Sequence, residues 1–238
     1  MSTLFISDLH LSGERKSITD LFIKFLDQRA SKSDALYILG DLFEVWPGDD
    51  MIQPDYVESI AKMKQLADNG LPLFVMQGNR DFLMAEKFAE VSGATLIEDP
   101  TVIDLYGTPT LLMHGDTLCT DDIDYQKFRT MVRDPRWKAE FFSKPNEERL
   151  AMTTKYRKVS KVETAKKSMD IMDVNQQTVE ETMLENNIVQ LIHGHTHRPA
   201  IHDFILNKKT MKRIVLGDWF KQGSVLVCNE SGCLLEAI

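Results

Sequence analysis

A chain of 238 residues with 43% hydrophobic and 27% charged side chains has the length and balance of one sizeable globular domain, or of one domain carrying an insertion. Its formal net charge of −8 argues against a general nucleic-acid binder, and its three cysteines, Cys119, Cys228 and Cys233, are odd in number and lack C-x-x-C spacing, so neither a disulfide framework nor a zinc ribbon is expected. No signal peptide is read before Asp8 and no run of about twenty apolar residues occurs, which excludes a spanning helix, leaves attachment to a membrane surface open and makes a reducing cytoplasm the simplest setting.

Residues 3–9 read as a buried strand, and 18–29 carry Leu21, Phe22, Phe25 and Leu26 at helical spacing. A second apolar run at 35–39 ends in Gly40-Asp41. A helix is predicted over 56–67 with Val57, Ile60, Met63 and Leu66 on one face, and a third strand at 73–76 ends in Gly78-Asn79. That alternation predicts a parallel sheet. A helix over 82–91 stops at Ser92-Gly93, and short strands follow at 95–97, 101–106 and 110–114 with a turn at Gly107. Residues 122–187 change character. They read as helical throughout, and between 126 and 167 there are 13 Lys and Arg against 5 Asp and Glu, a local +8 that leaves the rest of the chain at −16. A strand at 189–192 then runs into His193-Gly194-His195-Thr196-His197. A hairpin of 200–206 and 211–216 turns around Asn207-Lys208-Lys209, and a last pair, 225–228 and 233–236, turns around Glu230-Ser231-Gly232.

The histidine cluster holds half of the chain's six histidines. One His near a strand end is ordinary, but three at spacing two would project to one side if the strand continued, as would Asp8 and His10. The apolar runs end in Asp8-Leu9-His10, Gly40-Asp41, Gly78-Asn79-Arg80-Asp81, His114-Gly115-Asp116 and Gly194-His195-Thr196-His197. Ligands bind at the carboxyl ends of strands in α/β sheets, so five donor-bearing ends point to one shared site. Glycine before Asp41, Asn79 and His195 lets the backbone turn sharply and approach an ion. Taken singly, an Asp at a strand end is a turn residue, and Gly115-Asp116 and Gly217-Asp218 read as nothing more.

The order D-x-H, G-D, G-N, H, G-H-x-H resembles the calcineurin-like metallophosphoesterase superfamily. The resemblance implies an α/β sandwich of two β-sheets flanked by helices, with residues 1–121 and 188–238 as the core and 122–187 as a helical insertion forming a lid over the active site. It further implies that Asp8, His10 and His197 hold one metal, that Asn79, His114 and His195 hold another, and that Asp41 bridges both, leaving His193 as a supporting residue. Seven donors exceed what one ion of this class binds, whereas two ions sharing Asp41 have four each, with positions left for water and substrate. Mixed carboxylate, amide and imidazole ligands without cysteine suit two Mn²⁺, ahead of Fe or Zn²⁺. Two divalent ions against Asp8 and Asp41 leave a positive pocket, so phosphoester or phosphoanhydride hydrolysis is the expected reaction, with Asp41, Asn79, His114 and Arg80 as its catalytic set.

Arg80 departs from the superfamily pattern, in which many members carry His after G-N and use it to protonate the leaving alkoxide. A guanidinium stays charged and gives up no proton. The site therefore suits a leaving group that needs none, such as a phosphate monoester with a second pKa of about 6, and Arg80 would clamp phosphate oxygens of a pyrophosphate. In the insertion, Met152, Tyr156, Val159, Val162 and Met169 make an apolar stripe beside a face of Ser160, Thr164 and Lys167, and Phe128, Met131, Val132, Trp137, Phe141 and Phe142 add more apolar material than a small cap needs. A stripe of this kind is ordinarily core and the lysines a solvated face, but the combination would also serve an anionic amphiphile at a membrane surface.

Within the superfamily the chain resembles, from end to end, the pyrophosphatases of lipid A biosynthesis. The resemblance is carried by Phe5-Ile6-Ser7-Asp8-Leu9-His10-Leu11, Gly40-Asp41-Leu42-Phe43-Glu44-Val45-Trp46, Gly78-Asn79-Arg80-Asp81-Phe82, His114-Gly115-Asp116 and the run from His193 to Pro199. It implies water attack on the α-phosphorus of UDP-2,3-diacylglucosamine, giving UMP and 2,3-diacylglucosamine 1-phosphate (lipid X), with Mn²⁺ as cofactor. It also implies a cytoplasmic protein peripherally associated with the inner membrane, and substrate contacts from Asn79, Arg80, Asp122, Ser160, Thr164, Lys167 and His195, with acyl chains held by the insertion. No protein partner is implied, and a monomer is expected. The rivals are a soluble phosphodiesterase or nucleotide phosphatase, against which Arg80 and the apolar insertion speak, and a metal-dependent binding scaffold, in which a full set of donors would be idle.

Overall fold

The computed structural model describes residues 2–164 and 171–238, the side chains of 161–164 excepted. The amino-terminal half runs β1 (Thr3–Ile6), α1 (Lys16–Gln28), β2 (Ala35–Leu39), α2 (Val57–Asp68), β3 (Leu73–Met76), α3 (Glu86–Ser92), β4 (Thr95–Ile97), β5 (Thr101–Leu105) and β6 (Thr108–Met113). Four helices follow, α4 (Ile123–Arg133), α5 (Pro135–Phe142), α6 (Asn146–Thr164) and α7 (Gln176–Glu185). The chain closes with β7 (Gln190–His193), β8 (Ala200–Leu206), β9 (Lys209–Val215), β10 (Ser224–Asn229) and β11 (Gly232–Ala237).

The strands form two sheets, one in the order β11-β10-β1-β2-β3-β4 and one in the order β5-β6-β7-β9-β8. Strand alternation shows how they stack. Phe5, Leu39, Met76, Leu112, Ile192 and Ile214 turn inward into one apolar layer between the sheets. Leu4 and Ile6 turn outward into a second layer with Phe22, Phe25 and Leu26 of α1, and Leu111, Met113 and Leu191 turn outward on the other side against Val179 and Met183 of α7. The result is an α/β sandwich of two sheets flanked by helices. Phe22 is fully buried, with its ring edge-on to Trp219 at 6.0 Å. Phe22→Ala is expected to lower the unfolding free energy by about 3–5 kcal/mol in a denaturant titration. A loss below about 1 kcal/mol would mean that this layer does not carry the fold.

Several sequence expectations change. The parallel sheet becomes two mixed ones: β1 to β4 are parallel, as are β6, β7 and β9, while β10, β11, β5 and β8 pair antiparallel. The helix expected over 82–91 begins only at Glu86, because the buried Asp81 carboxylate accepts from Gly78 N at 2.7 Å and Phe43 N at 3.2 Å and ties the preceding segment into a loop. The β8–β9 turn is two residues, with Asn207 (φ 49) and Lys208 (φ 64) both left-handed, so β9 starts at Lys209 rather than 211. Cys228 and Cys233 form a disulfide, contrary to the expectation from spacing, because the last hairpin places them directly opposite each other.

The segment 122–187 divides in two. Helix α7 packs on the second sheet as a layer of the sandwich, whereas Phe141 of α5 is buried in the α1 layer, and Trp137 of α5 and Met152 of α6 pack against it. The buried Arg149 of α6 reaches Pro47 O at 3.2 Å and pairs with Asp50, seating the insertion on the loop after β2. Lys167, Met169 and the side chains of Val162 and Thr164 lie outside the described residues.

Candidate metal centre and substrate cavity

The strands stop short of the site. β1 ends at Ile6, β2 at Leu39 and β7 at His193, and the donors beyond them sit in left-handed backbone: Asp8 (φ 56), His10 (φ 49), Asp41 (φ 53), His195 (φ 67) and His197 (φ 56). Left-handed backbone is unfavourable for residues with a Cβ, so something must hold each turn. Backbone bonds continue between the loops, from Asp8 N to Gly40 O at 3.1 Å, His10 N to Asp41 O at 2.9 Å and Gly194 N to His114 O at 2.9 Å. Strand alternation therefore does not aim the histidines, as the sequence suggested; the paired turns do. Two glycines are required by proximity rather than by φ. A Cβ on Gly78 would lie 2.1 Å from Asp41 Oδ1, and one on Gly194 would lie 2.5 Å from Asp8 Oδ2.

All seven expected ligands come together. Around Asp8, His197 Nε2 lies 3.2 Å and His10 Nε2 4.0 Å from Oδ1. The two imidazole Nε2 atoms are 3.4 Å apart. On the other side, Asn79 Oδ1 lies 2.9 Å from both His114 Nε2 and His195 Nδ1. Asp41 stands between the groups, with Oδ2 3.7 Å from His10 Nε2 and Oδ1 3.8 Å from His114 Nε2. Among the described residues, Asp8, His10 and His197 form one cluster able to hold an ion, and Asp8, Asp41 and His114 a second.

The buried carboxylates and imidazoles shift one another strongly. Burial raises the Asp8 carboxyl, but His197, His114 and His10 outweigh it and hold it below the usual range. Burial pushes Asp41 up to about 7 against the pull of His114, with Asp81 and Asp8 adding to the rise. For His197, two carboxylates, Asp8 and Asp218, overcome burial and raise it to about 10, while burial and His114 take His195 down to about 3. Asp8 Oδ1 is buried without a hydrogen bond. An unsatisfied buried carboxylate oxygen at the meeting point of oxygen and nitrogen donors fits a divalent metal.

Some residues do more than the sequence suggested. Asp116 is fully buried rather than a plain turn residue, and its Oδ2 accepts from Tyr125 Oη and Arg129 Nε, both at 2.7 Å, which fixes α4 with the Tyr125 ring 5.8 Å from that of His195. Asp218 Oδ2 lies 3.3 Å from His197 Nδ1, the ring nitrogen not turned to Asp8. His193 is fully buried with Nδ1 2.9 Å from Gly194 O and Nε2 3.3 Å from Arg213, a support beneath the loop; burial lowers it to about 4.

Next to the donors opens a cavity of about 410 Å³. Asn79, Arg80 and Glu44 line it together with Phe82, Phe128, Trp137, Tyr156 and Val159, and Asp122 and Ser160 also face it. Arg80 N donates to Asp41 Oδ1 at 2.8 Å, and its guanidinium Nε is buried without a partner. Asp122 also caps α4, accepting from Tyr125 N at 3.1 Å. Of the expected substrate contacts, Asn79, Arg80, Asp122 and Ser160 thus meet at the cavity, and His195 stands at the adjoining donors.

A model of the calcineurin-like phosphoesterase family matches residues 1–199. The chain is 49% identical over 236 residues to the UDP-2,3-diacylglucosamine hydrolase of Photobacterium profundum, covering 99% of this chain and 96% of that one. The chain belongs to the calcineurin-like phosphoesterases, in the family of UDP-2,3-diacylglucosamine hydrolases. A second relative of this phosphoesterase, the UDP-2,3-diacylglucosamine hydrolase of Stenotrophomonas maltophilia, is 46% identical over 245 residues, covering 100% and 99% of the two chains. A solved archaeal phosphodiesterase superposes with a TM-score of 0.50 over 100% of both chains at 10% identity, a likeness of fold. Among the described residues, no helix of the phosphoesterase is long and apolar enough to cross a membrane.

Proposed function

We propose that the chain hydrolyses the pyrophosphate of UDP-2,3-diacylglucosamine, by attack of water on the α-phosphorus, giving UMP and 2,3-diacylglucosamine 1-phosphate in lipid A biosynthesis. Relatives named for that substrate, at 49% and 46% identity over nearly the whole chain, support it. The observation that carries the reading is the cavity, whose lining combines Asn79 and Arg80, next to the donors, with Phe82, Phe128, Trp137 and Tyr156. Such a lining suits a molecule that carries both phosphate and hydrocarbon.

The proposed cofactors are two Mn²⁺, one held by Asp8, His10 and His197, one by Asn79, His114 and His195, with Asp41 shared. The opposed oxygens of Asp41, 3.7 Å from His10 and 3.8 Å from His114, support the sharing. Bound divalent ions lower the pKa of water and polarise phosphoryl oxygens. Arg80 holds non-bridging oxygens through its guanidinium, whose buried Nε has no partner, and, carrying no labile proton, suits a leaving phosphate that needs none. Asp122, Ser160, Thr164, Lys167 and His195 complete the proposed contacts to nucleotide and sugar. Helices α4 to α6 act as the lid and hold acyl chains. The local charge of +8 over 126–167, with Phe142 45% and Val159 50% exposed, supports rest on the cytoplasmic face of the inner membrane.

If acyl chains fill the cavity, the diacylated substrate will exceed deacylated UDP-glucosamine in kcat/KM by at least about 100-fold, since each buried methylene is worth about 0.8 kcal/mol. Steady-state kinetics with Mn²⁺ on the two substrates decide this, and equal values would remove lipid from the account.

A further inference from the structure

His10 presents its Nε2 to Asp8, Asp41 and His197, so an ion in that cluster takes Nε2 and leaves the proton on Nδ1. Nδ1 is buried, has no hydrogen bond, and faces Glu44 Oε2 at 3.6 Å. That is longer than a hydrogen bond, but a carboxylate is the acceptor a metal-holding imidazole uses to fix its ring and raise its basicity. Glu44 is itself 9% exposed and is engaged on its other oxygen, where Oε1 accepts from Arg157 Nε of α6. Arg15, from the core, stands 3.9 Å from Glu44 Oε2 and donates to Leu9 O at 3.0 Å. One carboxylate therefore faces a candidate ligand on one side and the insertion on the other, in the lining of the cavity to which both Glu44 and Arg157 belong.

We propose that Glu44 is a positioning residue that couples α6 to the metal centre, receiving the Nδ1–H of His10 on one oxygen and Arg157 on the other, so that the seating of the helix sets the orientation of a ligand. Without Arg157 the carboxylate is free to rotate away from the ring or to turn toward Arg15, and His10 loses its fixed partner. A ligand in the cavity that shifts α6 would then alter how the centre holds its ion. Arg149 already anchors α6 to the loop after β2, so the coupling through Arg157 is separable from attachment of the helix.

The test is the dissociation constant for Mn²⁺ alone, read by electron paramagnetic resonance on full-length protein without substrate, for wild type, Glu44→Ala, Glu44→Gln, Arg157→Met and the Glu44→Ala/Arg157→Met double variant. Thermal melts run alongside to show that each variant is folded. The expected result is a loss of about 10–100-fold in affinity for Glu44→Ala, as for other partners of metal-holding histidines. Glu44→Gln, which keeps an oxygen for Nδ1–H, loses less. Arg157→Met weakens binding severalfold, and adds nothing to Glu44→Ala in the double variant. Unchanged affinity in Glu44→Ala or in Arg157→Met, or effects that multiply in the double variant, overturns the coupling. The inference rests on the metal reading of the site. Wild-type protein that binds no Mn²⁺ would sink that reading, whereas wild-type binding with an indifferent Glu44→Ala sinks only the role of Glu44.

Discussion

Asp41→Ala is expected to abolish turnover, with a loss on the order of 10³-fold or more, because it removes the carboxylate whose two oxygens face the two donor groups at 3.7 and 3.8 Å. The loss will not come from unfolding. Burial, with Asp81 and Asp8 adding, pushes the Asp41 carboxyl up to about 7 against the pull of His114, so in metal-free protein the ionised group is held at a cost. Metal-free Asp41→Asn, which keeps the shape and loses the charge, should therefore melt no lower than metal-free wild type near pH 8. Wild-type rates in Asp41→Ala under strict metal control would contradict the shared-ligand assignment. A large fall in the metal-free melting temperature of Asp41→Asn would instead make Asp41 a residue of the fold.

Arg80→Ala is expected to cost about 10²–10³-fold in kcat/KM, the range seen when one preorganised donor to developing charge is removed. Arg80 lines the cavity beside Asn79 with an unpartnered buried Nε, and its backbone is fixed by Asp41, so a donor stands ready for phosphate next to the candidate ligands. Arg29, which pairs with Glu236 at 2.7 Å past the carboxyl end of α1, provides the comparison, and Arg29→Ala should stay within about twofold. Equal small losses in both would show that Arg80 only sits nearby. Arg80→Lys should recover little, since an ammonium keeps the charge but not the fork that grips two oxygens.

The candidate donors are legible in the chain, because each follows an apolar run and the runs are short enough to be strands. Their order also carries the family. The means of aiming the donors was not legible. Asp8, His10, Asp41, His195 and His197 are left-handed residues in turns paired to each other, and a period of two read past Ile6 or His193 describes a strand that has already ended. Partners brought by folding were missed for the same reason. Glu44 and Asp218 reach the far sides of His10 and His197, and Asp116 gathers Tyr125 and Arg129, all across distances in sequence that a motif does not span. A polar residue three places after Asp41 in the apolar run Leu42-Phe43 was the available signal for Glu44. Helix α7 was grouped with the insertion because its periodicity looks like that of its neighbours, and only its contact with Leu111 and Leu191 distinguishes it.

The chemistry of the account reduces to which phosphorus water attacks. Purified protein with Mn²⁺ and UDP-2,3-diacylglucosamine, incubated in ¹⁸O-labelled water and resolved by mass spectrometry, answers that in one measurement. The expected result is one labelled oxygen in UMP and none in 2,3-diacylglucosamine 1-phosphate, with no release of either product when the metal is chelated. Label in the lipid phosphate, or undiminished hydrolysis without metal, would contradict it.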